Sequence, residues 1–179
     1  MLGKLNIWKI IRDHFSTFTN YRTGRVSISD YLLFLGIPLA LAVIAVWRNI
    51  TFPSAVLSAM LSAFSIFAGL LLNLLLLICN FANNQRFAGS DPATAMRRTF
   101  LKQVYFNLAF SIILAICIVA VTLVSLSFAS HQEQATHPIA TVLLSFLVSQ
   151  FVLTLFMILQ RIHTLLSFEF ERPSLKKSA

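Results

Sequence analysis

From Gln103 to Gln160 the chain reads QVYFNLAFSIILAICIVAVTLVSLSFASHQEQATHPIATVLLSFLVSQFVLTLFMILQ, with Glu133 as its only charge. A helix that crosses a bilayer takes about 20 apolar residues at a rise of about 1.5 Å each. This run is therefore long enough for two crossings. Its polar middle, Ser127 to Pro138, ends in a proline and divides it. Upstream, Tyr31–Trp47 and Ser54–Gln85 are also free of charge. The pattern predicts four helices, at about 31–48, 54–79, 103–128 and 139–160. The first is near the lower length limit for a span.

Composition agrees with this reading. Of 179 residues, 58% are hydrophobic and 11% charged, and the mean hydropathy is +0.81. A soluble domain carries about 25% charged residues, so this chain lacks the groups to cover a globule in water. Disorder and coiled coil are excluded on the same ground. The expectation is an all-α integral membrane protein in three parts. Residues 1–30 form a cytoplasmic or interfacial segment, 31–160 a four-helix transmembrane domain, and 161–179 a basic cytoplasmic tail. Cys79 and Cys117 fall in or beside apolar runs and read as small fillers rather than a disulfide framework.

Cations set the orientation. Of the 14 Lys and Arg, Arg48 alone falls in the first or third connection; the rest lie in the two tails and the second connection. The excess of Lys and Arg on cytoplasmic segments places both termini and the second connection inside. Thirty residues precede the first apolar run, too long and too charged a lead-in for a cleaved signal peptide. Within it Leu5, Trp8, Ile11, Phe15 and Phe18 recur at three and four among Lys4, Lys9 and Arg12. That pattern predicts a short amphipathic helix, either lying on the inner membrane face or packed as an ordinary cytoplasmic helix. Ser27–Asp30 reads as the cap of the next helix.

The inner side is built out. Asp91-Pro92 is a helix start, and no breaker follows it until the third connection. Such a helix is far longer than the roughly 30 Å hydrocarbon core. The second helix can likewise run on through Arg86, and the fourth through His163 to Phe170. Phe81, Phe87, Phe100, Phe168 and Phe170 stand on these extensions among basic residues. They either pack on one another or form a platform for a soluble protein. Arg86, Arg97, Arg98 and Lys102 are the candidate docking cations. The outer connections are small; Asn49-Ile50-Thr51 matches a glycosylation sequon but lies against the membrane.

Small and weakly polar residues form stripes within the spans. Ser54, Ser58, Ser62, Ser65, Gly69 and Asn73 share one helical face of the second span. Asn107, Ser111, Thr122 and Ser125 do so on the third, and Thr141, Ser145, Ser149, Gln150 and Thr154 mark the fourth. Such residues let helices approach closely in lipid, within a bundle or between copies; they also suit a water-lined path through an oligomer. Asn73 and Gln150 are the most costly to leave unpaired. Gly36-Ile37-Pro38 is a candidate kink in the first span.

Other chemistry is sparse. No ionisable residue is expected in mid-membrane, which argues against proton pumps and ion-coupled transport. His14, His131, His137 and His163 do not pair at matched depth, so haem is not expected. His131, Glu133 and His137 read as a solvated loop, with metal binding or pH sensing the sharper alternative. The acids are scattered, and phosphate loops and nucleophile elbows are missing from the sequence. No catalytic activity, cofactor, metal or specific nucleic-acid partner is expected. Lys176-Lys177 matches a dilysine retrieval pattern, which a basic inner tail explains equally well.

The stretches GRVSISDYLLF, at 24–34, and FSIFAGLLLN, at 64–73, carry a resemblance. They are similar to a family of small bacterial four-span proteins from anti-phage defence loci, the membrane subunits of two-gene Kiwa systems among them. The resemblance covers mainly residues 22–80. It implies an inner-membrane homo-oligomer that senses infection and holds a soluble cytoplasmic effector. It assigns no functional residue. A pore-forming effector that depolarises the cell is the alternative, followed by a small transporter or accessory subunit.

Overall fold

The computed structural model describes residues 7–15, 28–82, 92–129 and 137–175, and among them every regular element is an α-helix. There are five: α1 (Ile7–Phe15), α2 (Ile28–Trp47), α3 (Ser54–Ala82), α4 (Pro92–Ala129) and α5 (Pro138–Leu175). Prolines mark the starts. Pro92 and Pro138 take the first position of α4 and α5, where no backbone N–H is needed. His137 caps α5: its carbonyl accepts from Thr141 N–H at 3.1 Å, and its ring Nδ1 accepts from Ile139 N–H at 3.4 Å. His131 and Glu133, its suggested partners, lie outside the described residues, as do Ser27, Arg86 and Asp91.

The α2–α3 connection is a short hairpin. Asn49 takes a left-handed backbone (φ 50°), ending α2. Ile50 N–H then donates to Ala45 C=O, and Asn49 N–H to Val46 C=O, both at 2.9 Å. This pairing satisfies the last carbonyls of the helix, and asparagine is among the few residues that accept the conformation. Pro38 lies inside α2 and is fully buried, and the helix continues through it.

α4 is the centre of the bundle. It packs against α3 on one side and α5 on the other, while α2 lies mainly against α5, and α1 crosses α4. The core runs from Leu57, Phe64 and Leu71 of α3, through Leu108, Ala115 and Ile118 of α4, to Leu144, Phe151 and Ile158 of α5. Phe151 meets Phe64 edge-on at 5.1 Å and Phe67 at 5.7 Å, bridging α5 to α3.

Outside this core the surface is apolar. Leu32, Leu39, Ile66, Leu70, Leu76, Val124, Phe156 and Leu159 are all exposed. An apolar surface this extensive cannot face water, and hydrocarbon is its natural solvent. Three helices, α3, α4 and α5, are long and apolar enough to cross a membrane. The apolar run of α2, Leu32–Trp47, is shorter. α4 and α5 have 38 residues each, a length of roughly 57 Å. Antiparallel packing brings the N-terminal end of α4 and the C-terminal end of α5 to the same end of the bundle, where α1 also sits. We call this the α1 end, and the opposite one the hairpin end.

Candidate functional site

At the α1 end four helices bring polar and aromatic side chains together around His14. The short helix α1 places Ile10, Ile11 and His14 toward the bundle, with Ile11 packed on the core and His14 fully buried. Trp8, expected on the same face, is instead 75% exposed. Leu5 and Phe18 lie outside the described residues. The His14 ring stacks on Phe110 of α4, with centroids 4.0 Å apart and planes at 13°. Phe34 of α2 leans on it at 5.4 Å. Its Nδ1–H donates to the carboxamide oxygen of Asn107, a fully buried residue of α4, at 2.9 Å. A carboxamide oxygen only accepts, so the contact fixes the proton of the neutral ring on Nδ1.

Burial pushes His14 from its ordinary 6.5 down to about 4. The Asn107 hydrogen bond acts upward and the charge of Arg161, on α5, acts downward. At neutral pH the ring is therefore uncharged and serves as a stacked, hydrogen-bonded plug between α1 and α4. Arg161 is half-buried, and its Nη2 donates to the Met157 sulfur at 3.9 Å.

The stripes divide. On α3, Ser58, Ser62, Ser65, Gly69 and Asn73 all face out of the bundle. A Cβ added at Gly69 would find nothing within 4 Å, so this glycine makes no close helix approach within one copy. On α4, Asn107, Ser111, Thr122 and Ser125 are buried; on α5, so are Thr141, Gln150 and Thr154, while Ser145 and Ser149 are half-buried. Most hydroxyls on both sides donate to the carbonyl four residues back in their own helix. Ser58, Ser62 and Ser65 do so at 2.7–3.1 Å. Ser111, Ser125, Ser149 and Thr154 do so at 2.7–3.0 Å. Such bonds let serine face lipid or a neighbouring helix at small cost. Thr122 Oγ1 and Gln150 Oε1 are buried with no hydrogen-bond partner.

The docking cations also separate. Arg97 stands on α4, near its start, and Arg98 and Lys102 follow on the same helix. The last two line a groove of about 540 Å³ between the end of α3 and α4, together with Ile78, Cys79 and Ala82 of α3 and Leu101, Tyr105 and Phe106 of α4. At the hairpin end a second groove, of about 470 Å³, lies between α4 and α5; Val121, Val124, Phe128, Ile139 and Leu143 line it, and among the described residues neither Lys nor Arg does. Among the described residues no cluster of His, Cys, Asp and Glu is placed to hold a metal ion. Cys79 and Cys117 are exposed thiols, far apart in the chain and unbridged.

Sequence reasoning marked Asn107 as a packing residue and His14 as one of two inner histidines. Their contact joins residues 93 apart in the chain. The available signal was the placement of Ile7, Ile10, Ile11 and His14 at helical spacing, which puts a histidine on an apolar face. Comparison of the chain with protein-family models, with curated proteins and with solved structures found no match.

Proposed function

We propose that the protein is a sensing and scaffolding subunit of a bacterial anti-phage defence system. It crosses the inner membrane four times with both termini inside, assembles with copies of itself, and holds a soluble effector at its cytoplasmic end. The observation that carries the scaffold reading is the overreach at the α1 end. α5 has 38 residues and carries Arg161, Glu169, Glu171 and Arg172 in the stretch that ends it; at about 57 Å it is longer than the roughly 30 Å hydrocarbon core. α4 is equally long and carries Arg97, Arg98 and Lys102 near its start. Two packed helices thus stand clear of the hydrocarbon on the side where Arg97, Arg98, Lys102 and Arg161 lie.

Four crossings follow if α2 spans. Its 20 residues reach about 30 Å, the thickness of the hydrocarbon core. Arg48, in the α2–α3 connection, is then the outer cation, and the cations of the tails and of the α3–α4 connection are inside. The defence setting rests on the resemblance of residues 22–80 to membrane subunits of defence loci. The test is co-expression with the product of the adjacent gene and joint purification from detergent. The two proteins should elute together, and Arg97→Glu or removal of residues 165–179 should separate them. A complex indifferent to both changes would refute docking at this end.

The outward polar stripe of α3 favours a second reading, a path lined between copies. Liposomes carrying the protein would then leak ions, and Asn73→Leu would suppress the leak; tight liposomes would reject it.

A further inference from the structure

We propose that the groove between α3 and α4 at the α1 end is a binding site for one anionic phospholipid of the inner leaflet. It rests on the reading that α3 and α4 cross the bilayer with this end inside.

The groove is formed by the last turn of α3 and by α4 between Arg98 and Phe106, where the last cation before the charge-free run is Lys102, and that is the depth at which headgroups meet acyl chains. Ile78, Leu101 and Phe106 supply an apolar floor and Arg98 and Lys102 the charge; among the described residues, none that lines it is acidic. Its volume, about 540 Å³, suits a headgroup and the start of a chain rather than a small ion.

Arg98 and Lys102 are four apart on one helix, so their charges repel at close range. An anion held beside both cations is attracted by each of them. The Lys102 ammonium lies 5.7 Å from the centre of the Phe106 ring, which keeps it at the groove instead of extended into solvent. Arg98 offers the planar fork that suits a phosphate, and Lys102 a point charge beside it. The hairpin-end groove is the internal contrast. It has similar size and similar apolar walls, with Ser125 and His137 as its polar members, but among the described residues no Lys or Arg lines it to pair with a headgroup phosphate. Basic pockets between spans on the cytoplasmic side are where anionic headgroups bind.

Cys79 lines the groove and is exposed, which makes it a built-in reporter. The full chain carrying Cys117→Ser is placed in nanodiscs of phosphatidylcholine, or of phosphatidylcholine with phosphatidylglycerol, and the rate of modification by N-ethylmaleimide is measured. At nine-tenths occupancy the anionic lipid slows the reaction about ten-fold. Lys102→Gln and Arg98→Gln, singly and together, should restore the fast rate, and Lys102→Arg should keep the slow one. Lys102 is exposed, so its substitution leaves the bundle intact, and the two bilayers compared on the unsubstituted groove decide the matter without it.

Equal rates in the two bilayers overturn the proposal. So does slowing that survives both glutamine substitutions, which would be an effect of surface charge alone. Soluble glycerol 3-phosphate added to phosphatidylcholine discs should change nothing; protection by it would assign the groove to a free phosphate instead. If the chain does not enter the discs at all, the membrane reading itself fails.

Discussion

Two stripes of nearly the same composition run along neighbouring helices and end in opposite places. On α3, Ser58, Ser62, Ser65, Gly69 and Asn73 face away from the bundle. On α4, Asn107, Ser111, Thr122 and Ser125 are buried within it. Helical period assigns residues to a face, and only the partner helix decides whether the face turns inward. The serines on both stripes tolerate either outcome because their hydroxyls bond within the helix. The larger groups do not. Asn107 is buried against His14, while Asn73 is exposed on a surface otherwise suited to lipid. The inward stripe thus belongs to the fold of one copy, and the outward stripe is the part that a second copy or a lined path would use.

The contrast is broken most forcefully at the aromatics of α5. Phe151→Ala removes the bridge to Phe64 and Phe67 and should destabilise the bundle by about 3–5 kcal/mol. Phe156, 64% exposed on the same helix, should cost under about 1 kcal/mol when truncated. Thermal unfolding in detergent, followed by circular dichroism, measures both. Equal losses would mean that the two faces of α5 are alike.

The serine pair is the next test. Ser111→Leu forces a larger side chain into a closed interior and should cost about 1–3 kcal/mol. Ser62→Leu, on the outward stripe, should stay within about 0.5 kcal/mol for the isolated copy. A large loss at Ser62 in a monodisperse monomer would place that stripe inside.

His14, packed against Asn107 of the inward stripe, makes docking of α1 depend on pH. Docked, its pKa is about 4, against an ordinary value of 6.5. The undocked ring therefore takes up a proton first. Docking of α1 is at full strength above pH 6.5 and weakens as the pH falls toward 4, about ten-fold per unit. A spin label at Trp8→Cys should gain mobility between pH 7 and 5, and His14→Gln should remove the pH dependence. A flat profile in the parent would contradict the buried, neutral ring.

The smallest effect on stability is expected at Asn73→Leu, within about 0.5 kcal/mol for one copy. Its influence should appear instead in cross-linking between copies through Ser62→Cys, which should fall.

Much of the fold was legible in the sequence. Pro92, Pro138 and the polar stretch from Ser127 punctuate the chain, and proline at a first helical position is unambiguous. The overlength of α4 followed from the lack of any breaker after Pro92. The site was not legible to the same degree. His14 and Asn107 are joined by packing of a nine-residue helix on the bundle, and no local pattern encodes such a distant contact. Trp8 and His14 both lie near the apolar side of α1, and a small rotation of the helix decides which is buried. The grooves depended in the same way on which turns of α3 and α4 meet.

The central claim is that lipid surrounds this bundle, with the α1 end inside the cell. Single cysteines at Asn49, in the hairpin, and at His163, on the exposed side of α5, test it most directly in a background lacking Cys79 and Cys117. In intact cells a membrane-impermeant maleimide should label the cysteine at Asn49 and leave the one at His163 unmodified until the membrane is opened. Labelling at His163 from outside, with Asn49 protected, would invert the molecule, and labelling of both in intact cells would show that it does not lie across the membrane.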